Sequence, residues 1–523
     1  MKTKRTVILS LFLIAVFSFV SLAGLPENPV VVREELNFGD NPQFGGTLVV
    51  STTAGPEGFN PVVATSTATY SITEMLFGRL FDIDPITLKQ KPELAKNWEV
   101  TEGGKVYTFE LRKGLKWSDG QELTADDVVF TYRDLHFNDD IESDTRSQLQ
   151  VTVDGEKKLP EVEKLDKYTV RFTFPKVFAP ALEGLTAAIL PEHVLKDKVH
   201  KLNPDVSEGN FNEVWSLDTN PEEVVSCGPF NLKEFSSGQY IVLEKNPNSF
   251  YADEKGNQLP YLDQIKVLFV ENTETAITMF INGEIDAISI SPENFPTLKK
   301  RESNTNFTVY RAGPGFGTTH NIAFNQDVKD EELKKLFRNV NFRRAMAYAF
   351  DEETVIENVF SGLAQPQWGP ISKANSLYYN PDVAKYEFDL EKARELLNEI
   401  GVVDSDGDGL RETPGGKDVK FTAITNAGSA RIDMANIHAN DLEKIGIDMT
   451  VQGLEFSSVI NRMLDGNFEV ALMSLVGSRD PHGTATNVFG SDGGFHYWHW
   501  SAKDNPNEAE QKIDEILTKA SST

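Results

Sequence analysis

The chain has 523 residues, of which 40% are hydrophobic and 25% charged, with a formal net charge of −28 and one cysteine. That length suits roughly two or three soluble domains. So acidic a balance excludes a nucleic-acid-binding surface, which needs clustered Lys and Arg, and the lone Cys227 excludes an intramolecular disulfide. Stability must come from a sizeable apolar core, in which Cys227 reads as a small buried hydrophobe.

At the amino end, Lys2, Lys4 and Arg5 precede an apolar run from Val7 to Val20, followed by the small residues of Ser21-Leu22-Ala23. Basic, apolar and small-residue segments in that order mark residues 1–23 as a secretory leader. The run is shorter than the about 20 residues a membrane span requires, and no cysteine at the cleavage position offers a lipid anchor. The expectation is a freely soluble exported protein, periplasmic in a cell with an outer membrane. Residues 25–44 are polar and Pro-punctuated, and Gly45–Ser51 is the first convincing strand. Gly58-Phe59-Asn60-Pro61 forms a turn, and Ile72, Met75, Leu76 and Leu80 recur at helical spacing over Thr69–Leu80.

The most ordered pattern runs from Leu94 to Leu135. A strand carrying Trp98 and Val100 turns at Gly103-Gly104, and the return strand alternates Tyr107, Phe109 and Leu111 with Thr108, Glu110 and Arg112. Lys113-Gly114 and Ser118-Asp119-Gly120 are two more turns, with Trp117 held between them. Thr124 then caps a helix with Asp127 three residues on, and Val128, Val129 and Tyr132 supply its apolar face. Hairpin, double turn and capped helix in this order resemble the family 5 extracellular solute-binding proteins, the peptide-binding and related receptors of ABC importers.

Further segments resemble that family: Gly58–Pro61, Ile189-Leu190-Pro191-Glu192-His193, Cys227-Gly228-Pro229-Phe230 (with Cys where the family has Thr), Asn282-Gly283-Glu284-Ile285-Asp286 and Asn321–Asn325. The resemblance implies an α/β periplasmic-binding-protein fold, type II in its large three-part form, with two lobes hinged around a ligand cleft. It implies lobe I over residues 24–61 and 191–312, a family-specific extra domain over 62–190, lobe II over 313–500, and the start of a return to lobe I over 501–523. The family extends roughly eighty residues further than this chain, about the size of a small domain. The implied activity is binding alone: capture of an oligopeptide, or alternatively an oligosaccharide, for delivery to the permease of an ABC transporter, by a monomer with no cofactor.

In the second half, Phe342, Ala345, Met346 and Ala349 share one helical face, Asp351 caps Val355–Phe360, and Asp389 caps a helix carrying Ala393, Leu396, Leu397 and Ile400. From Val419 strand and helix alternate: Phe421–Ile424, Arg431–Ile445, Ile447–Val451, Phe456–Leu464 and Phe468–Leu475. Two βαβ units predict a parallel sheet with both faces covered. Residues 141–170 read as polar and irregular, ahead of a strand from Tyr168 to Phe174.

Ligands of parallel sheets sit beyond the carboxyl ends of the strands, so the loop Gly477-Ser478-Arg479-Asp480-Pro481-His482 is expected to face the cleft. Arg479 suits a carboxylate. Asp480 lies one to three residues later than the Asp that takes a peptide's amino terminus in the relatives, and an Arg479–Asp480 pair that only shapes the loop is the competing reading. Tyr497 and Trp498 in Phe495–Trp500, and Trp368 in a Pro-flanked loop, offer stacking platforms. With His482 and with Asn60 in its turn, these complete the candidate substrate-binding set. Metal motifs are thin. Asp404-x-Asp406-x-Asp408-Gly409 opens like a calcium loop but has Gly415 at the twelfth position, and His496-x-x-His499 is too isolated for zinc. A secreted hydrolase has no G-x-S-x-G or H-E-x-x-H signature to stand on.

Overall fold

The structure is a computed structural model that describes residues 31–32, 42–84, 87, 89–154, 156–311, 318–427, 430–477 and 480–521. The leader 1–23 and Arg479 lie outside the described residues. Among the described residues, no helix is long and apolar enough to cross a membrane.

The Leu94–Leu135 pattern folds as its residue types dictate. Strands Ala95–Thr101 and Val106–Leu111 pair antiparallel, and the turn between them holds Gly103 and Gly104 at φ of 66° and 100°, where a Cβ is disfavoured. Tyr107, Phe109 and Leu111 are buried while Thr108 and Glu110 are half-buried. Thr173 to Thr169 and Asp166 to Glu161 extend the sheet, again antiparallel. Trp117 is fully enclosed. Thr124 and Asp127 form the reciprocal cap, the Asp127 carboxylate accepting from Thr124 N at 2.8 Å.

A second sheet runs Phe230–Ser236, Tyr240–Lys245, Gln264–Phe269, Thr47–Thr52, antiparallel until its last pair, which is parallel. Both sheets drain into one core: Phe59, Leu76, Phe109, Trp117, Phe172 and Leu243 belong to a single buried cluster. Each fully buried Phe contributes about 1.5–3 kcal/mol, so the two sheets are fastened to one another by burial as well as by chain connection.

Three local expectations are corrected. The helix expected over Thr69–Leu80 is Thr67–Leu76, because Phe77 at φ −124°, ψ 144° leaves the helical region. Cys227 N and Gly228 N then take up the Leu76 carbonyl. Leu80 stays buried because Arg79 bridges to Ala188 and carries the chain back inward. The helix begun at Ala125 continues through Phe130–His136 as π-helical turns. Residues 141–170 are not irregular: they hold a short helix Asp144–Leu149, a hairpin Val151–Val153 with Glu156–Lys158, and the strand Glu161–Asp166.

The second lobe carries the expected parallel sheet. Lys420–Asn426 lies between Asp448–Leu454 and Val470–Val476, parallel to both, and an antiparallel edge strand, Thr318–Phe324, pairs with Val470–Val476. Helices Ala430–Glu443 and Phe456–Leu464 make the crossovers. Phe324, Phe337, Phe342 and Phe421 interlock with ring centroids 5.3–6.5 Å apart. Caps fall where the sequence places them: Asp351 accepts from Thr354 N and Asp389 from Lys392 N, both at 2.9 Å. Cys227 is buried and its sulfur accepts from Gly78 N, which fits a structural thiol.

Candidate functional site

The second-lobe sheet fixes the site. Its parallel strands end at Asn426 and Val476, and the register sets His320 of the antiparallel edge strand opposite Ser474 at the same end. Arg431, in the first turn of the following helix, donates through Nε to Asn426 Oδ1 at 2.7 Å and through a second nitrogen to Ser474 Oγ. Ser474 Oγ in turn is 2.9 Å from His320 Nδ1, whose ring lies 5.7 Å from that of Phe360. Arg431 has no carboxylate partner among the described residues. Burial pulls its guanidinium below the usual value, and burial with the Arg431 charge pulls His320 down as well. A half-buried cation held by neutral groups is electrostatically incomplete. An incoming carboxylate completes it, through bonds roughly twice as strong as neutral ones.

The sequence-based candidates distribute around this cluster unevenly. Asp480 and His482 follow the strand Val470–Val476 at the same end. Asp480 accepts from His482 N at 2.8 Å and so stiffens the start of the helix His482–Phe489, and His482 Nδ1 is enclosed without a hydrogen-bond partner among the described residues. Trp368 is half-buried in its loop, outside the core clusters.

Asn60 and Tyr497 are buried, with their polar atoms bonded inside the protein. Asn60, 3% exposed, donates to Phe211 O and accepts from Val62 N, both at 3.1 Å. Tyr497 is fully buried, and its hydroxyl accepts from Asn321 Nδ2 at 3.1 Å. Trp498 is half-buried against Phe489, His496 and Tyr497, with centroids 5.7, 4.5 and 5.3 Å away. The aromatic run therefore serves first to close the second lobe's core.

Sequence reasoning missed Arg431, Ser474 and His320. The signal was available in part: the carboxyl-end rule, applied to Lys420–Asn426 as well as to the last strand, leads to Arg431. The aspartates of the calcium-like loop turn inward on their own backbone: Asp404 accepts from Gly407 N and Gly409 N, Asp406 from Asp408 N, and Asp408 from Leu410 N. Two cavities, of about 270 and 520 Å³, are lined by residues between Pro61 and Leu262 and contain none of the Arg431 cluster.

With this geometry in hand, comparison with known proteins is informative. The sequence model of the bacterial extracellular solute-binding proteins, family 5 (middle region), matches residues 89–497. The oligopeptide-binding protein AppA of Bacillus subtilis is 29% identical over 479 residues, 90% of this chain and 81% of that protein. A periplasmic alpha-galactoside-binding protein of Rhizobium meliloti is 28% identical over 460 residues, 82% of this chain and 65% of that one. Among solved structures, an oligopeptide-binding protein OppA superposes with a TM-score of 0.74 at 28% identity, covering 95% of this chain and 83% of that chain.

Proposed function

The chain belongs to the bacterial extracellular solute-binding proteins of family 5, and on that premise we propose that it is the receptor of an ABC importer for oligopeptides. The observation that carries the peptide reading is the half-buried, uncompensated Arg431 guanidinium at the carboxyl end of the second-lobe sheet. A peptide brings a carboxylate to it, whereas a neutral sugar leaves it unpaired. The names of the Bacillus subtilis relative and of the OppA structure support the same class. Asp480 is the acidic counterpart for the peptide ammonium, with Arg479 and His482 next to it in the sequence, and Trp368 supplies apolar contact from its own loop.

Function is binding alone. The two lobes close on the peptide about their hinge, and the closed form is presented to permease subunits at the membrane by an exported, periplasmic monomer whose leader is cleaved near Ala23. An oligosaccharide is the second reading. It is favoured by the alpha-galactoside-binding relative and by Trp368, but Trp498 is already engaged by its neighbours.

Thermal unfolding across di- to pentapeptides and oligosaccharides separates the two. A ligand at 100 times its Kd stabilises the native state by about 2.7 kcal/mol. A shift with peptides alone is the expected result. A shift with sugars alone overturns it.

A further inference from the structure

His496 and His499 stand at the ends of a turn closed by His499 N donating to His496 O at 3.2 Å, which carries both imidazoles to one side. Facing them is Glu510, in the first turn of the helix Glu508–Ala520 and part of its reciprocal cap with Asn507. All three side chains are buried, at 2%, 5% and 5% exposure in chain order. One ring nitrogen from each histidine and a Glu510 oxygen all lie within 4.8 Å of one another. Glu510 Oε1 is 3.3 Å from the first nitrogen and 2.7 Å from the second.

The surrounding hydrogen bonds prepare these atoms as donors to a cation. His496 Nδ1 lies 3.0 Å from the Val488 carbonyl, which only accepts, so Nδ1 carries the hydrogen. In the neutral ring Nε2 is then a bare lone pair aimed at a carboxylate oxygen that also only accepts. Two buried acceptors face to face require a positive centre between them. The second Glu510 oxygen accepts from Asn507 N at 2.8 Å. Both ligands thus have the outer partners that orient metal-binding imidazoles and carboxylates. The far nitrogen of His499 touches Arg338 only at 3.4 Å, and Arg338 is separately anchored by Asp327 and Gln326 O, both at 2.7 Å. Arg338 only donates, so without an ion the His499 hydrogen sits on Nδ1 and is given to Glu510 Oε1, and a metal ion takes that position by displacing the proton, as ligand binding to a metal ordinarily does.

We propose that His496 Nε2, His499 Nδ1 and Glu510 Oε1 bind one divalent ion of the zinc class. Two imidazoles and a carboxylate suit such an ion, with a water in the remaining tetrahedral position. The ion ties the helix Glu508–Ala520 to the aromatic segment that closes the second lobe, and it acts on structure apart from solute binding. The isolated His-x-x-His pair gains its third ligand only through the fold.

The test is metal uptake by the full chain after chelator dialysis, with Zn2+ for stoichiometry and thermal shift and Co2+ for visible d–d absorption. The expected result is one ion per chain, a raised unfolding temperature and a Co2+ spectrum of mixed nitrogen and oxygen ligation. His496→Gln with His499→Gln, and separately Glu510→Gln, should weaken uptake by more than the about 10–100-fold cost of losing an outer partner. Absence of stoichiometric uptake by the wild type overturns the proposal. Uptake unchanged in both variants also overturns it, by placing the ion elsewhere. The wild-type stoichiometry decides even where a variant does not fold.

Discussion

Substituting Gly228 by Ala tests how the first lobe is closed. A Cβ at this position lies 2.7 Å from both the Leu76 carbonyl carbon and the Met75 oxygen, and 2.9 Å from the Leu76 oxygen. These are backbone atoms at the end of the helix Thr67–Leu76, so no side-chain rotation relieves the contact. The same junction carries the hydrogen bonds from Cys227 N and Gly228 N to the Leu76 carbonyl, at 3.0 and 2.7 Å. Asn246 Nδ2 also donates to the Gly228 carbonyl at 2.8 Å. Separating the two segments by a few tenths of an ångström lengthens both bonds to the Leu76 carbonyl. Overpacking of this kind costs about 1–3 kcal/mol, or roughly 2–4 °C in Tm for each kcal/mol in a body of this size. Gly483→Ala is the internal control. Its Cβ meets nothing within 4 Å, and it sits in the helix His482–Phe489, so the same change should stabilise by about 0.4–1 kcal/mol through the unfolded chain. Calorimetric or denaturant unfolding of the three proteins reads both signs. An unchanged Gly228→Ala variant, or one that moves in the same direction as Gly483→Ala, refutes the close approach.

Burial raises the Asp127 carboxyl to about 6, against backbone hydrogen bonds from Thr124 and Glu192 that pull it down. Because the folded value lies above that of the unfolded chain, its stabilising contribution is complete below pH ~4 and is lost as pH rises through about 6. Urea unfolding of wild type and Asp127→Asn should show the difference shifting against the wild type by up to about 3 kcal/mol between pH 4 and 7; parallel pH profiles contradict this. Tyr497→Phe should cost about 1–2 kcal/mol by orphaning Asn321 Nδ2 while leaving solute affinity within about twofold, as isothermal titration would show. A large affinity loss would place Tyr497 back in the binding surface.

Much of the fold is legible because its signals are local. Gly103 and Gly104 announce a turn by tolerating positive φ. Thr124, Asp351, Asp389 and Asn507 announce helix starts by offering an oxygen to an exposed N–H. Where the expectation slipped, the residues fit two structures equally. Leu80 continues the helical stripe of Ile72 and Leu76, yet it is buried by a bridge from Arg79 to Ala188, a contact 109 residues away that no window contains. Phe130, Tyr132 and Leu135 suit an α-helix as well as the wider π turn they adopt. The polar strand Glu161–Asp166 buries only Val162, so alternation is too faint to mark it. The site is less legible for a related reason. Arg431 alone reads as an ordinary residue of a helix start, and it stands out only when the sheet brings Ser474 and His320 beside it with no carboxylate partner among the described residues. The aromatic run Phe495–Trp500 has the composition of a platform, but composition does not reveal which rings the core has already claimed.

The central claim is that Arg431 receives the free carboxylate of a peptide. It is tested most directly by titrating one peptide that binds, as its free acid and as its carboxyl-terminal amide, into wild type and Arg431→Gln. A hydrogen bond to a charged group is worth about 1.5–3 kcal/mol, so the account predicts that the wild type prefers the acid by about 10- to 150-fold. It also predicts that Arg431→Gln loses that preference while remaining as stable as the wild type, because no carboxylate among the described residues depends on the guanidinium. Equal affinity for acid and amide in the wild type, or a preference that survives in Arg431→Gln, would contradict it.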